Sequence, residues 1–332
     1  MITHKPSNFF NKKRITSIAV LAVLLVAICV LPKIIDLGHY LVLFSTIIMY
    51  IVLSVSWTIF SGPTGYVSLA TAAFFGIGIY TSAIFVESLS LPVLMLLGGI
   101  AAFIVAFVIG AITLRLRGVY FTIFSFALVK LLESLILWLE IRINGTRGHH
   151  LFTSMSRLEL NDTVFYYLLG TMVLLLIATY IIKRSRFGMA LTSIGESEDA
   201  ASHIGINTTV FKILAFAISA FWAGAVGAAW ALRLGYIDPT IAFKPLMSFL
   251  PILMAIFGGM GTLPGPIIGA AVFTYITELL STKFPNYSML GTGAVMVIAI
   301  LFLPNGIFGL AREIIEKIKK RKTEGVEISA DP

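Results

Sequence analysis

Lys130 and Glu133 stand inside an otherwise apolar stretch, 119 to 140. Three residues apart, they share one face of a helix near its middle. Inside a bilayer an isolated charge is costly. A mutual pair facing the interior of a helix bundle lowers that cost, and intramembrane ionisable residues are candidates for an ion or solute path. A structural ion pair that fixes helix packing accounts for the same two residues equally well. Other residue types that carry chemistry are sparse. The five histidines, His4, His39, His149, His150 and His203, all fall in predicted loops, and no H-E-x-x-H occurs, so a metalloenzyme site within the membrane is not supported. His149 and His150 read as solvated on an outer loop. Cys29 is the single cysteine, so neither a disulfide nor a cysteine-based metal site can form within one chain. No G-x-x-x-x-G-K-[ST] occurs, so the chain is expected to hydrolyse no ATP by itself, and any ATPase must be another subunit.

The elements that must position these residues are set by composition. Of 332 residues 58% are hydrophobic and only 12% charged, half the charge of a typical soluble protein. Apolar runs of about 20 residues, each long enough to cross a hydrocarbon core as a helix, recur from Ile15 to Gly309. The spans expected are 15 to 35, 40 to 60, 66 to 86, 91 to 113, 119 to 140, 163 to 182, 211 to 233, 246 to 262, 264 to 281 and 289 to 309. The fold class is therefore all-α, a polytopic integral membrane protein of about ten transmembrane helices. It comprises a cytoplasmic segment 1 to 14, a membrane domain 15 to 309 and a basic cytoplasmic tail 310 to 332. Lys12-Lys13-Arg14 before the first run resembles a signal peptide, but that run is long and no A-x-A site follows, so it reads as a retained anchor. With both termini in the cytoplasm, sixteen lysines and arginines fall inside and seven outside, which satisfies the positive-inside rule. The net charge of +8 is thus a topology signal, and its scatter between apolar runs argues against a nucleic-acid partner.

Two runs are interrupted by glycine and proline, at Gly62-Pro63-Thr64-Gly65 and from Gly258 to Pro266. Both breaks lie at expected cytoplasmic ends. Backbone freed by a break cannot face lipid and must be buried in protein or line an aqueous cavity, and broken segments in both halves of a transporter point towards its pathway. Two tight helical hairpins are the plainer alternative. Ser68 to Gly78 is rich in small side chains, with Ser68 and Thr71 as its polar members. Gly261, Gly265 and Gly269, and likewise Ala220, Gly224 and Ala228, recur every four residues, a spacing that stacks small residues on one helix face for close packing.

The longest expected cytoplasmic loop, 183 to 210, holds a segment that reads as one short helix. Ser193 and Glu196 have capping-box spacing, Gly205 suits a left-handed C-cap, and Ile194, Ala201 and Ile204 fall along one side. Glu196 and Asp199 add an acidic strip. Such a helix suits docking into a groove on a partner protein; an acidic face argues against its lying on anionic lipid.

Taken in order, these pieces resemble the LivM-type permeases of branched-chain amino acid ABC importers, a family that also includes permeases for urea and short amides. The resemblance is carried by Gly65-Tyr66-Val67-Ser68-Leu69 running into Ala72-Ala73-Phe74-Phe75-Gly76, by Leu114-Arg115-Leu116-Arg117-Gly118 and by Asn144-Gly145-Thr146-Arg147-Gly148. Its strongest part runs from Ser185-Arg186-Phe187-Gly188 through Glu196, Glu198, Ala200, Ala201 and Gly205-Ile206-Asn207 to Lys212, with Gly258 to Ala270 as a late glycine-rich signature. The resemblance implies that Glu196, Glu198, Ala200, Ala201 and Gly205 belong to a coupling helix that receives the motion of a separate ATP-binding subunit, where ATP and Mg would reside. It implies further partners: a second, LivH-type permease or a second copy of this chain, an extracytoplasmic solute-binding protein and the lipid of a bacterial inner membrane. Gly65, Tyr66, Ser68, Thr71, Phe74 and Phe75 are the candidate translocation residues. Tyr66, Ala70 and Thr71 depart from the family's usual residues, as do Lys130 and Glu133, whose signs are exchanged. The rival reading is an ion-coupled secondary transporter that uses Lys130 and Glu133.

Overall fold

The computed structural model describes residues 38–151, 156–302 and 306. The first expected span, Cys29, His4 and the basic tail lie outside them. The chain divides into two compact units, Met1–Val42 and Leu43–Pro332, and the elements from Leu43 onward belong to the second. In chain order the helices are α1 (Gly38–Thr64), α2 (Thr71–Phe85), α3 (Leu91–Thr113), α4 (Val119–Asn144), α5 (Arg157–Arg184), α6 (Arg186–Glu196), α7 (Glu198–His203), α8 (Thr208–Ala231), α9 (Pro239–Ala242), α10 (Leu246–Gly258), α11 (Pro264–Lys283) and α12 (Ser288–Phe302). Among the described residues seven helical stretches are long and apolar enough to cross a membrane: α1, α3, α4, α5, α8, α9 with α10, and α11. α2 is a shorter apolar helix.

α8 packs against α2 and α3, and small residues make that contact possible. A β-carbon on Gly78 would strike the Gly224 carbonyl, one on Gly224 the Gly98 carbonyl, and one on Gly227 the Phe75 carbonyl. Without a hydrophobic drive between helices in lipid, such backbone-to-backbone approach supplies the packing energy. The expected Ala220, Gly224, Ala228 stripe is buried in this seam. In the second stripe Gly265 and Gly269 close against the Gly259 and Met254 carbonyls, but a β-carbon on Gly261 would meet nothing within 4 Å, so Gly261 lies outside the contact.

Several boundaries differ from expectation. α1 continues through Gly62 and Pro63 to Thr64; the helix ends only where Gly65 takes φ +72°, a conformation natural to glycine. Proline removes one donor but its fixed φ is helical, so it is carried through the last turn. The expected span 66 to 86 begins as helix only at Thr71. At the opposite end of the helices, β1 (His149–His150) pairs antiparallel with β2 (Tyr236–Ile237), tying two loops together. His149 and His150 thus lie in a strand rather than a free loop, His39 lies in α1, and His203 closes α7.

Candidate functional site

Residues 65 to 70, between α1 and α2, form no helix, so their backbone groups need partners from elsewhere. The indole N–H of Trp57 donates to the Ser68 carbonyl at 2.8 Å. The Leu69 N–H donates to Ser125 Oγ at 2.8 Å, and Thr122 Oγ1 donates to the Val67 carbonyl at 2.9 Å. The buried N-terminus of α2 is met by Ser248, whose Oγ accepts from the Ala72 N–H at 3.1 Å. Side chains from α1, α4 and α10 thus hold the unwound stretch in a cradle, and Ser68 and Thr71 are buried in it.

One end of the cradle is fastened to the loop helices by a polar latch. Lys212, one turn into α8, is 1% exposed. Its ammonium donates to Glu198 Oε1 at 2.6 Å, to Tyr66 Oη at 3.2 Å and to the Leu114 carbonyl at 3.2 Å. Tyr66 in turn donates to Glu198 Oε2 at 2.6 Å, and the Lys212 ammonium lies 4.7 Å from the centre of the Tyr66 ring, close enough for a cation–π contribution. The lysine's three donors are all used, which is the condition for burying an ammonium. Burial pushes the Glu198 carboxyl towards neutrality, but the hydrogen bonds from Lys212 and Tyr66 and the charges of Lys212 and Arg117 outweigh it, and its pKa lies below the usual carboxylate value. Burial, then the hydrogen bond and charge of Glu198, push the Tyr66 hydroxyl well above its ordinary range. Nothing in the latch titrates near neutrality through these two groups.

The loop contains two helices rather than one. Ser193 lies within α6, its hydroxyl donating to the Met189 carbonyl at 3.1 Å, so it forms no capping box with Glu196. The chain breaks at Ser197, whose Oγ accepts from the Ala200 N–H at 3.3 Å and caps α7. Gly205 closes α7 at φ +88°, with the Ile206 N–H bonded to the Ala201 carbonyl and the Gly205 N–H to the Ser202 carbonyl, at 3.1 and 3.0 Å, the pairing of a Schellman ending. Gly195 is pressed against the Pro63 carbonyl, where a β-carbon would overlap it, so α6 sits directly on the last turn of α1. Ile194 and Ala201 are buried inside the chain, whereas Ile204 is 74% exposed; the three do not share one face. The surface that α7 leaves open carries Asp199, Ala200, His203 and Ile204, and Glu196 is exposed at the end of α6. Arg117 Nη2 pairs with Asp199 Oδ1 at 3.1 Å on that surface.

The remaining candidates lie apart. Phe74 and Phe75 are buried, and Phe74 packs edge-on against Phe216 at 5.2 Å between ring centres. Lys130 Nζ and Glu133 Oε2 form the expected pair at 2.6 Å, but its orientation is not the expected inward one: the Lys130 side chain is 55% exposed and that of Glu133 14%. A cavity of about 320 Å³ lies between the two glycine-rich breaks, lined by Gly62, Pro63, Met260, Gly261, Thr179 and Lys183 among others. At the far end His149 Nε2 lies 3.4 Å from Glu140 Oε1, and Arg147 Nη2 3.5 Å from Asp238 Oδ2. Among the described residues no three His, Cys, Asp or Glu gather as a metal site. Sequence reasoning missed Lys212 as a site residue, and with it Trp57, Ser125 and Ser248. A lysine within a run otherwise apolar was the available signal for the first; the serines give none, because their partners are distant in sequence.

A bundle of apolar helices around an unwound, side-chain-held segment, with polar loop helices latched to it, is the architecture of a multi-pass membrane protein. Residues 39–300 match the family described as branched-chain amino acid transport system / permease component, and the chain belongs to that family. It is 27% identical over 306 residues to the LivM permease protein of the high-affinity branched-chain amino acid transport system of Salmonella typhimurium, covering 83% of this chain and 71% of the relative. It is 33% identical over 150 residues to the LivH permease protein of Escherichia coli K12, 45% of this chain and 47% of that one. A fructose import permease protein, FrcC of Rhizobium meliloti, is 29% identical over 152 residues, 43% of this chain and 41% of the relative. No solved structure matches.

Proposed function

We propose that this chain is one membrane-spanning subunit of an ABC importer in a bacterial inner membrane, moving branched-chain amino acids or a related small polar or amide solute. A solute-binding protein delivers the solute from outside, and separate subunits that bind ATP and Mg supply the drive. The single observation that carries the reading is the latch: α7, a helix with an open outer surface and a rooted inner one, is joined through Glu198 to Lys212 and Tyr66, and Tyr66 opens the unwound segment. Closure of a cassette against Ala200, His203 and Ile204 would displace α7, and the short bonds of the latch would carry that displacement into residues 65 to 70 and so into α2. Gly65, Tyr66, Ser68 and Thr71 then act as a gate whose bonds hold the path closed at rest, with Phe74 and Phe75 behind it. The charge asymmetry supports a cytoplasmic position for this latch, as a cassette requires. The relatives give no support to an ion-coupled carrier built on Lys130 and Glu133.

Ile204→Arg tests the reading. Because Ile204 is 74% exposed, the substitution leaves the fold intact, and the proposal expects normal amounts of assembled protein with ATP-driven uptake lowered at least tenfold. Wild-type uptake would count against a docking role for α7.

A further inference from the structure

We propose that the cavity between the two glycine-rich breaks holds the phosphate group of an anionic phospholipid. The proposal needs only the membrane placement of the chain and is independent of the importer reading. The cavity, about 320 Å³, is bounded by Gly62 and Pro63 in the last turn of α1, by Thr179 and Lys183 near the end of α5, by α6, and by Gly261 between α10 and α11. Thr179 and Lys183 are four residues apart and so share one face of their helix.

The polar groups of the cavity divide into satisfied and unsatisfied ones. Thr58 Oγ1 donates to the Val55 carbonyl at 2.7 Å and Thr192 Oγ1 to the Gly188 carbonyl at 3.1 Å, so both hydroxyls are already used as donors. Thr179 is 2% exposed, and its buried Oγ1 has no hydrogen-bond partner, a state that calls for a missing ligand or water. Lys183 stands at the rim, and among the described residues no carboxylate pairs with its ammonium. An ammonium only donates, so the occupant must bring acceptors and negative charge. Ile59, Ile182, Leu191 and Met260 line the same space, which suits the glycerol and first methylenes behind a phosphate better than a hydrated ion.

α5 ends at Arg184, so the site stands at the end of a spanning helix, at headgroup depth, where basic pockets between helices bind anionic lipid. Arg184 itself lies over the Tyr180 ring at 4.6 Å and lines no part of the cavity. The chain's own tail is a poor occupant, since Lys317, Lys319, Lys320, Arg321 and Lys322 outnumber Glu313 and Glu316 there. A bound lipid would touch α1, α5, α6 and the second break together, and so brace α6 where its Gly195 meets the Pro63 carbonyl.

The test follows melting of the full chain in detergent as phosphatidylglycerol, phosphatidylethanolamine or inorganic phosphate is titrated in. Phosphatidylglycerol should raise the melting temperature and the other two should not. Lys183→Gln should raise the half-saturating phosphatidylglycerol about tenfold and Thr179→Val about threefold, whereas Arg184→Gln should leave the titration as it is. An equal shift from inorganic phosphate would assign the cavity to a soluble anion and overturn the lipid. No shift from phosphatidylglycerol, or equal weakening by Arg184→Gln, would overturn the site itself. Native mass spectrometry of the unaltered chain gives a reading that depends on no variant: phosphatidylglycerol retained in preference to phosphatidylethanolamine is expected, and retention of both alike or of neither would overturn the proposal.

Discussion

Lys212 and Lys130 are both lysines in apolar helices, each 2.6 Å from a glutamate, and the chain treats them in opposite ways. Lys212 is 1% exposed, and Glu198, Tyr66 and the Leu114 carbonyl use all its donors. The Lys130 side chain is 55% exposed with Glu133 as its carboxylate. The first environment is finished within the chain, and its bonds join a loop helix to an unwound segment. In the second, Glu133 takes one of the three donors and half of the lysine side chain stays open. Distance from a charge to its counter-ion does not separate the two cases; the count of satisfied donors does.

The comparison breaks most sharply on removal of the two ammonium groups. Lys212→Met leaves a half-buried carboxylate beside Tyr66 without its cation and should lower the stability of the chain in detergent by about 3–5 kcal/mol, read as a fall in melting temperature. Adding Glu198→Leu to it should recover much of that loss, since replacing a whole buried pair by apolar groups is often near neutral. Tyr66→Phe removes one hydrogen bond to a carboxylate and should cost about 2 kcal/mol, with the larger effect on ATP-driven uptake because the latch loses its grip on residue 66. By contrast, Lys130→Leu should change the melting of the chain by less than about 1 kcal/mol, as for other half-exposed pairs. Arg117→Ala breaks an exposed pair and should leave melting unchanged.

Acid sharpens the same contrast. The Glu198 pKa is lower in the folded chain than in the unfolded one, so the latch contributes its full stability above the unfolded carboxylate value, about 4.3, and loses it as pH falls through the lower, folded value. Melting curves should therefore be flat with respect to this group from about pH 5 to 8 and decline below about pH 4, and Glu198→Gln should remove that part of the acid dependence. A latch that loosened between about pH 6 and 7 would mean that some other group governs it.

Much of this was legible in the sequence, for physical reasons that differ by element. Apolar run length marks a spanning helix, and α3, α5 and α8 lie where hydropathy puts them. Glycine and proline mark breaks, but not which residue breaks: Pro63 is helical and Gly65 is the turning point, because proline's φ suits a helix and only glycine takes the left-handed one cheaply. Ser197 was hidden because Ser193 and Glu196 offer a better capping pattern, yet it is the Ser197 hydroxyl that accepts from the Ala200 N–H and starts α7. The Lys130–Glu133 pair was readable from spacing alone; its outward orientation was not, since a three-residue spacing fixes that two residues share a face but not which face meets the bundle. Ser125 and Ser248 were invisible because they act on backbone 56 and 176 residues away.

Under the proposed function, motion supplied by a separate ATPase drives this permease. Uptake of labelled leucine, isoleucine and valine into cells with and without the chain, in ATP-depleted and in uncoupler-treated samples, tests it directly. The expected result is chain-dependent uptake that is lost on ATP depletion and survives uncoupling while ATP is maintained. Uptake that survives ATP depletion and collapses with the uncoupler would contradict it.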